Sequence, residues 1–266
     1  MEAVTVTQGN SPLILAFPHV GTHIPKSIGS YLNAEGSSLR DTDWHIARLY
    51  EGLVADTTMV RARYHRYCID LNRPPSQENL YPGLNSTDLV PLTDFDGQPI
   101  WQKNIMPDAT EVSRRIRDIH IPYHTALQAE IDRVRHIHGV AILYDCHSIR
   151  SHIPYLFSGQ LPDLNIGTNS GMSCDARLTA AIADYCISSG YSYVVNGRFK
   201  GGWTTRHYGK PTDHVHAVQM EMAQHLYLTA EKAPFIYNKT KADKLRPLLA
   251  HILESLIALA PNLTIS

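Results

Sequence analysis

Residues 140–146 read Val-Ala-Ile-Leu-Tyr-Asp-Cys directly after Gly139. A near-continuous apolar run of this length, opened by a turn residue, is expected to be a buried strand. A strand with almost no polar face demands cover on both sides, which narrows the possible architectures more than any other feature of the chain. Residues 12–17 (Pro-Leu-Ile-Leu-Ala-Phe) repeat the pattern and end in the turn Pro18-His19-Val20-Gly21.

Amphipathic stretches separate these runs. Residues 41–55 carry Ile46, Leu49, Tyr50 and Leu53 at helical spacing, with Asp41 or Thr42 as a cap. Residues 58–72 are expected to be a strand region feeding Ile69-Asp70-Leu71-Asn72-Arg73, and Pro74 and Pro75 stop it. From there to about Pro107 the chain is rich in Pro, Gly, Asn and Asp, and a loop of that length is often functional. Asp108 and Glu111 open a helix in a capping-box-like way. Its stripe runs Val112, Ile116, Ile119, Tyr123, Leu127, Ile131 and Val134 to Gly139, with Pro122 expected to kink or split it. A helix near 175–189, a strand at 191–195, a glycine-rich loop at 197–209, a strand at 215–222 and a helix near 241–259 complete the chain. The alternation predicts an α/β fold: a single three-layer domain over residues 1–266, with a mixed, mostly parallel sheet flanked by helices.

Composition excludes several function classes. With 24 basic and 25 acidic residues the net charge is −1, which gives no electrostatic reason to expect nucleic acid or an anionic membrane as partner. No apolar stretch approaches the roughly 18–20 residues a bilayer requires. The N-terminal segment lacks the basic start and long apolar run of a signal peptide. The four cysteines, Cys68, Cys146, Cys174 and Cys186, show no Cys-x-x-Cys spacing, so neither a disulfide framework nor a thiolate metal knuckle is expected, and a reducing cytoplasm fits. Fifteen histidines is a high count, and imidazole is both a metal ligand and a proton carrier.

Chemistry in an α/β sheet collects where strands end. His19, His147 and Glu221 all occupy such ends. Two histidines and a carboxylate with one open position form a common catalytic zinc set, and a free glutamate beside zinc can shuttle a proton. The plainer alternatives are histidines that only bond a nearby carbonyl and a solvated edge glutamate. Against the latter, Glu221 shares its strand face with Ala217 and Val215, and a carboxylate on a partly apolar face needs a partner. Asn72 and Arg73, held between a strand and two prolines, offer an amide and a guanidinium fork suited to a substrate carboxylate. A lone Asn-Arg pair would be read instead as a turn with a surface arginine.

Six segments carry a resemblance. They are Pro18-His19-Val20-Gly21-Thr22-His23-Ile24-Pro25, Asp41-Thr42-Asp43-Trp44, Arg66-Tyr67-Cys68-Ile69-Asp70-Leu71-Asn72-Arg73-Pro74-Pro75, Asp145-Cys146-His147-Ser148, Asn196-Gly197-Arg198-Phe199-Lys200-Gly201-Gly202 and Gln219-Met220-Glu221-Met222. Together they span nearly the whole chain, which resembles the N-formylglutamate amidohydrolase family, related to aspartoacylase, succinylglutamate desuccinylase and the zinc carboxypeptidases. The resemblance implies a zinc-carboxypeptidase-like (phosphorylase/hydrolase-like) fold and hydrolysis of N-formylglutamate to formate and glutamate, the last step of a histidine degradation route. It implies His19 and His147 as Zn2+ ligands, Glu221 as general base and acid, Asn72 and Arg73 as the grip on the α-carboxylate, and Arg66 as the group that polarises the scissile carbonyl.

One departure stands out. The zinc carboxypeptidases and aspartoacylase place a glutamate three residues after the first histidine, where this chain has Thr22. Asp43 is the expected acidic ligand in its stead, with helix capping as its alternative role and Asp41 and His23 as reserves. A dianionic small-molecule substrate calls for a second cationic grip, and Arg198, Lys200 and Arg206 of the glycine-rich loop are the candidates. The rival readings are the same chemistry on another N-acyl amino acid and a non-catalytic zinc- or carboxylate-binding module. The free carboxylate of Glu221 favours an enzyme, because pure binding needs no base. Oligomeric state is not legible in the sequence.

Overall fold

The computed structural model describes residues 2–264. Seven strands, β1 (Val4–Thr7), β2 (Leu13–Phe17), β3 (Thr58–Ala62), β4 (Ala141–Ile149), β5 (Leu164–Gly167), β6 (Tyr193–Val195) and β7 (Val215–Ala223), form one mixed sheet in the order β1-β3-β2-β4-β7-β5-β6. The central strands β3, β2, β4 and β7 are mutually parallel, whereas β1 and β5 run antiparallel to their inner neighbours. Every residue of β2, β4 and β7 is buried, as strands covered on both faces must be. The α/β reading of the sequence holds, with the sheet between two helical layers.

The two faces are separated by strand parity. Leu13, Leu15, Ile142, Tyr144, Val218 and Met220 pack in one core with the helices Ala176–Ser189 and Lys239–Leu259. Ile14, Ala16, Leu143 and Ala217 pack in the other, against Tyr123, Leu127, Ile131 and Val134 of the helix Ile121–His138. On this second face the character of the strands changes along their length. β4 runs Ala141, Leu143, Asp145, His147 and β7 runs Val215, Ala217, Gln219, Glu221. Apolar side chains lie at the starts of the strands, and polar ones at their C-terminal ends.

Several expected elements differ in extent. The helix expected over 41–55 is only Ile46–Tyr50, because the residues before it are drawn toward the sheet edge. Its N-cap position is His45, in left-handed backbone at φ 61°, so neither Asp41 nor Thr42 caps it. The strand region expected from 58 stops at Ala62. β1 and β5 went unforeseen, being short and weakly patterned. The long helix starts as expected, with the Asp108 carboxylate accepting from Glu111 N at 2.8 Å, and ends at Gly139 with φ 72°. Its expected break takes the form of a π-helical turn, Ile116–His120, which joins Ala109–Arg115 to Ile121–His138. Pro122 lies in the first turn of the second segment, where a missing N–H costs little. Among the described residues no helix is long and apolar enough to cross a membrane, and all four cysteines are free and buried.

Candidate active site

β2, β4 and β7 are adjacent and parallel, so their C-terminal ends open onto one edge of the sheet. His147 and Glu221 are register partners across β4 and β7, and Asp145 pairs with Gln219 one step below. His147 therefore lies within its strand rather than beyond its end. His19 follows β2 in the turn, and its carbonyl accepts from Asp43 N at 3.1 Å, which brings the 41–43 segment to the same edge.

His19, Asp43 and His147 each offer one ligand atom, all within 4.8 Å of one another, and all three are buried. His147 Nδ1 lies 3.3 Å and His19 Nδ1 3.9 Å from Asp43 Oδ2. Ligand atoms about 2.0–2.2 Å from a tetrahedral zinc stand roughly 3.4 Å apart, so these spacings suit a metal set. The opposite ring nitrogens are engaged. His19 Nε2 bonds Asp70 Oδ1 at 2.7 Å, and His147 Nε2 lies 3.1 Å from Asp145 Oδ2. Such outer carboxylates fix the tautomer with the Nδ1 lone pairs turned inward. The electrostatics point the same way. Asp43, Asp70, Asp145 and Glu221 are buried around the cluster, and so is the guanidinium of Arg66. Burial alone would depress the His147 pKa, yet Asp145, Asp43 and Glu221 raise it well above the usual range. His19 goes the other way, held down by burial and by Arg66 against the pull of Asp70 and Asp43. Four buried carboxyl groups against one neighbouring guanidinium leave the cluster short of positive charge, and the two-nitrogen, one-oxygen donor set fits a borderline cation such as zinc.

Asp43 is thus not a helix cap, and its Oδ2 also accepts from Ser148 N at 3.1 Å. Asp41 lies apart from the cluster and accepts from Tyr67 Oη and Phe95 N, each at 2.8 Å. His23 packs edge-to-face against Tyr64 and also lies outside the cluster.

Glu221 is 7% exposed, and its Oε2 accepts from Gln219 Nε2 at 3.1 Å. Burial pushes its carboxyl up to about 8; Asp43 and Asp145 add to the shift, and His147 and Arg66 oppose it. A carboxyl that exchanges its proton near neutral pH is suited to acid–base work. Gln219 in turn accepts from Gly202 N at 2.8 Å, so the glycine-rich loop orients the glutamate through the glutamine. Gly202 also lies against Asn72, where an added Cβ would fall 2.3 Å from Nδ2.

A cleft of about 580 Å³, counted to its open mouth, contains these groups, and Arg66, Arg73, Arg198, Tyr81, Thr87 and Phe95 line it with them. Arg66 is clamped by Asp70 Oδ2 at 2.6 Å and lies over the Phe95 ring. Asn72 lies 3.1 Å from His147 Nε2 and accepts from Thr204 N at 2.8 Å. Arg73 Nε donates to Thr87 O at 2.8 Å.

A profile of the N-formylglutamate amidohydrolase family matches residues 11–228. The chain is 46% identical over 261 residues to the N-formylglutamate deformylase of Pseudomonas aeruginosa, covering 97% of both chains. It is 45% identical over 259 residues to the N-formylglutamate deformylase of Pseudomonas putida, covering 97% of this chain and 96% of the relative. The chain belongs to the N-formylglutamate amidohydrolase family. An N-formylglutamate amidohydrolase structure from Ralstonia eutropha JMP134 shares the fold, with a TM-score of 0.77, 24% identity and 96% and 98% of the two chains covered. The chain is accordingly an amidohydrolase.

Within this family framework, two expectations about the glycine-rich loop need correction. The loop is not continuous coil, because Trp203–Tyr208 is helical. Lys200 is exposed and does not line the cleft. Arg206 does not line it either, since its Nε donates to Gly201 O at 2.9 Å and its Nη1 to Leu80 O at 3.2 Å. Arg198 does line the cleft, with Nε held by Leu156 O and Nη2 by Asn85 O. Sequence reasoning assigned no role to Asp70, Asp145 or Gln219. A usable signal was present, because each stands two residues before a candidate site residue: Asn72, His147 and Glu221. For Asp145 and Gln219 that spacing is one step along the same strand face.

Proposed function

We propose that the chain hydrolyses N-formyl-L-glutamate to formate and L-glutamate with a zinc ion held by His19, Asp43 and His147. The observation that carries this reading is the convergence, in one cleft, of the two histidines and Asp43 with the raised carboxyl of Glu221 and three lining arginines. The two Pseudomonas relatives named as deformylases support the choice of substrate. Bound there, zinc supplies a Lewis acid and a water of lowered pKa.

The chain's own residues do the rest. Arg73 and Asn72 hold the α-carboxylate, and Arg198 meets the side-chain carboxylate. Arg66, held rigid by Asp70 and Phe95, offers its guanidinium to the oxygen of the formyl carbonyl as negative charge builds on it. Glu221 accepts a proton from the attacking water and delivers it to the departing nitrogen, while Gln219 keeps the carboxylate in one orientation. In the cell the reaction serves as the last step of a histidine degradation route in the cytoplasm.

Formate release from a panel of N-formyl and N-acetyl amino acids tests the reading, with metal content measured alongside. N-formylglutamate should be the preferred substrate of a protein holding about one zinc, and chelation should abolish turnover. Glu221→Gln should lower kcat by roughly a hundredfold or more with KM little changed, because shape is kept and proton transfer is lost. Turnover within a fewfold of the parent would make Glu221 a structural residue.

A further inference from the structure

Asn72 and Arg73 lie in a turn outside the sheet ladder, yet three consecutive carbonyls there are each met by a donor from behind. His124 Nε2 lies 2.9 Å from Leu71 O, Trp203 N donates to Asn72 O at 3.3 Å, and His120 Nε2 lies 3.0 Å from Arg73 O. A carbonyl only accepts, so each imidazole carries its proton on Nε2. Burial lowers the pKa of both histidines, which keeps them neutral and singly protonated. His124 Nδ1, 2.9 Å from Tyr208 Oη, then accepts from that hydroxyl. The Trp203 ring packs against both imidazoles, with centroids 5.2 and 4.5 Å away. His120 is the last residue of the π-helical turn and His124 follows one turn later. The extra residue of a π turn changes the angular phase at which the following side chains leave the helix, and such turns recur at functional sites.

We propose that His120 and His124 are positioning residues that hold the Leu71–Arg73 backbone so that Asn72 and Arg73 meet the substrate carboxylate in one fixed geometry, and that the π turn brings them to those carbonyls. The proposal rests on the reading of Asn72 and Arg73 as the carboxylate grip. A guanidinium reads a carboxylate through paired, directional bonds, so a turn free to shift loses affinity before it loses chemistry. No sheet ladder holds this turn: Asp70 accepts from its Asn72 and Arg73 N–H groups, Trp203 N meets the Asn72 carbonyl, and the two imidazoles restrain the carbonyls of Leu71 and Arg73 from the helical layer.

Steady-state kinetics on N-formylglutamate, with metal content, decides it for wild type, His120→Ala, His120→Gln and His124→Gln. The glutamine Nε2 is separated from Cα by as many bonds as the histidine Nε2, so it can restore the N–H to the carbonyl. His120→Ala should raise KM about fivefold to tenfold, the worth of one lost hydrogen bond, with kcat within about twofold and metal content unchanged. His120→Gln and His124→Gln should each stay within about threefold of wild type in KM. Unchanged KM in His120→Ala, equal loss in His120→Ala and His120→Gln, or a fall in kcat in place of the rise in KM would overturn the proposal. If His120→Ala does not fold, a KM rise beyond threefold in both glutamine variants overturns it and near-wild-type values uphold it. Wild-type protein that released no formate would sink the deformylase reading instead. Calorimetric titration with L-glutamate would then decide the positioning role: weaker binding to His120→Ala that His120→Gln restores upholds it, and equal or absent binding overturns it.

Discussion

Asp41 and Asp43 are two residues apart, both buried, and surrounded by different chemistry. Asp43 faces the two imidazoles and one backbone N–H. Asp41 satisfies a tyrosine hydroxyl and the N–H of Phe95. Their replacements should therefore fail in different ways. Asp43→Ala should leave the protein with little metal after dialysis, because a ligand to a dication is gone. Asp41→Ala should keep its metal and lose roughly 1–3 kcal/mol of stability by stranding two buried donors, which lowers Tm by several degrees in a chain of this size. Asp145→Asn should fall between them, with metal affinity down about tenfold to a hundredfold, since it orients a ligand without being one. Metal analysis and thermal melts of the three variants separate these outcomes. Comparable metal loss in Asp41→Ala and Asp43→Ala would remove the distinction.

At the scale of elements, the site depends on where strands end and on what approaches their ends. The buried run of β4 was legible because seven nearly apolar residues admit few other conformations, and the polar turnover at His147 and Glu221 was legible because a polar side chain on an apolar strand is out of pattern. The helix Ile46–Tyr50 was over-read at both ends: the 41–43 segment before it is held at the sheet edge, where Asp43 N donates to His19 O, and Leu53, the last residue of the stripe, lies beyond its C-terminus. Lys200 and Arg206 were over-read for another reason: sequence shows a charge but not whether it faces the cleft, and of the three loop cations only Arg198 lines it. The glycines of the same loop reveal their purpose only in three dimensions. Gly202 is needed at its position not for its dihedral angles but because a Cβ would collide with the Asn72 amide. Gly202→Ala should reduce kcat/KM about tenfold or more, since it displaces both Asn72 and the Gly202–Gln219–Glu221 chain, while the fold, which does not depend on that contact, should melt within a few degrees of wild type. Activity close to wild type would mean the loop yields without moving either partner.

At the scale of the whole molecule, net charge is close to neutral, yet its sign is segregated. Carboxylates crowd the floor of the cleft around the histidines, and Arg73 and Arg198 lie along its lining, both close to the Tyr81 ring at 5.4 and 5.5 Å. Under the proposed function a cation is held at the floor and an anion with two negative ends lies above it. This division predicts how selectivity should partition. Arg73→Lys keeps the charge but cannot copy a two-bond fork, so KM should rise strongly, and by similar factors, for N-formylglutamate and N-formylglutamine, which share the α-carboxylate. Arg198→Met keeps the length and removes the charge. It should raise KM for N-formylglutamate about tenfold or more and leave N-formylglutamine within about twofold, because only the first carries a side-chain carboxylate. The ratio of the two substrates' kcat/KM values across both variants isolates the effect from any general loosening of the cleft. If Arg198→Met harmed both substrates equally, Arg198 would serve to brace the cleft wall through its bonds to Leu156 and Asn85, and the second carboxylate would have to be read by another group.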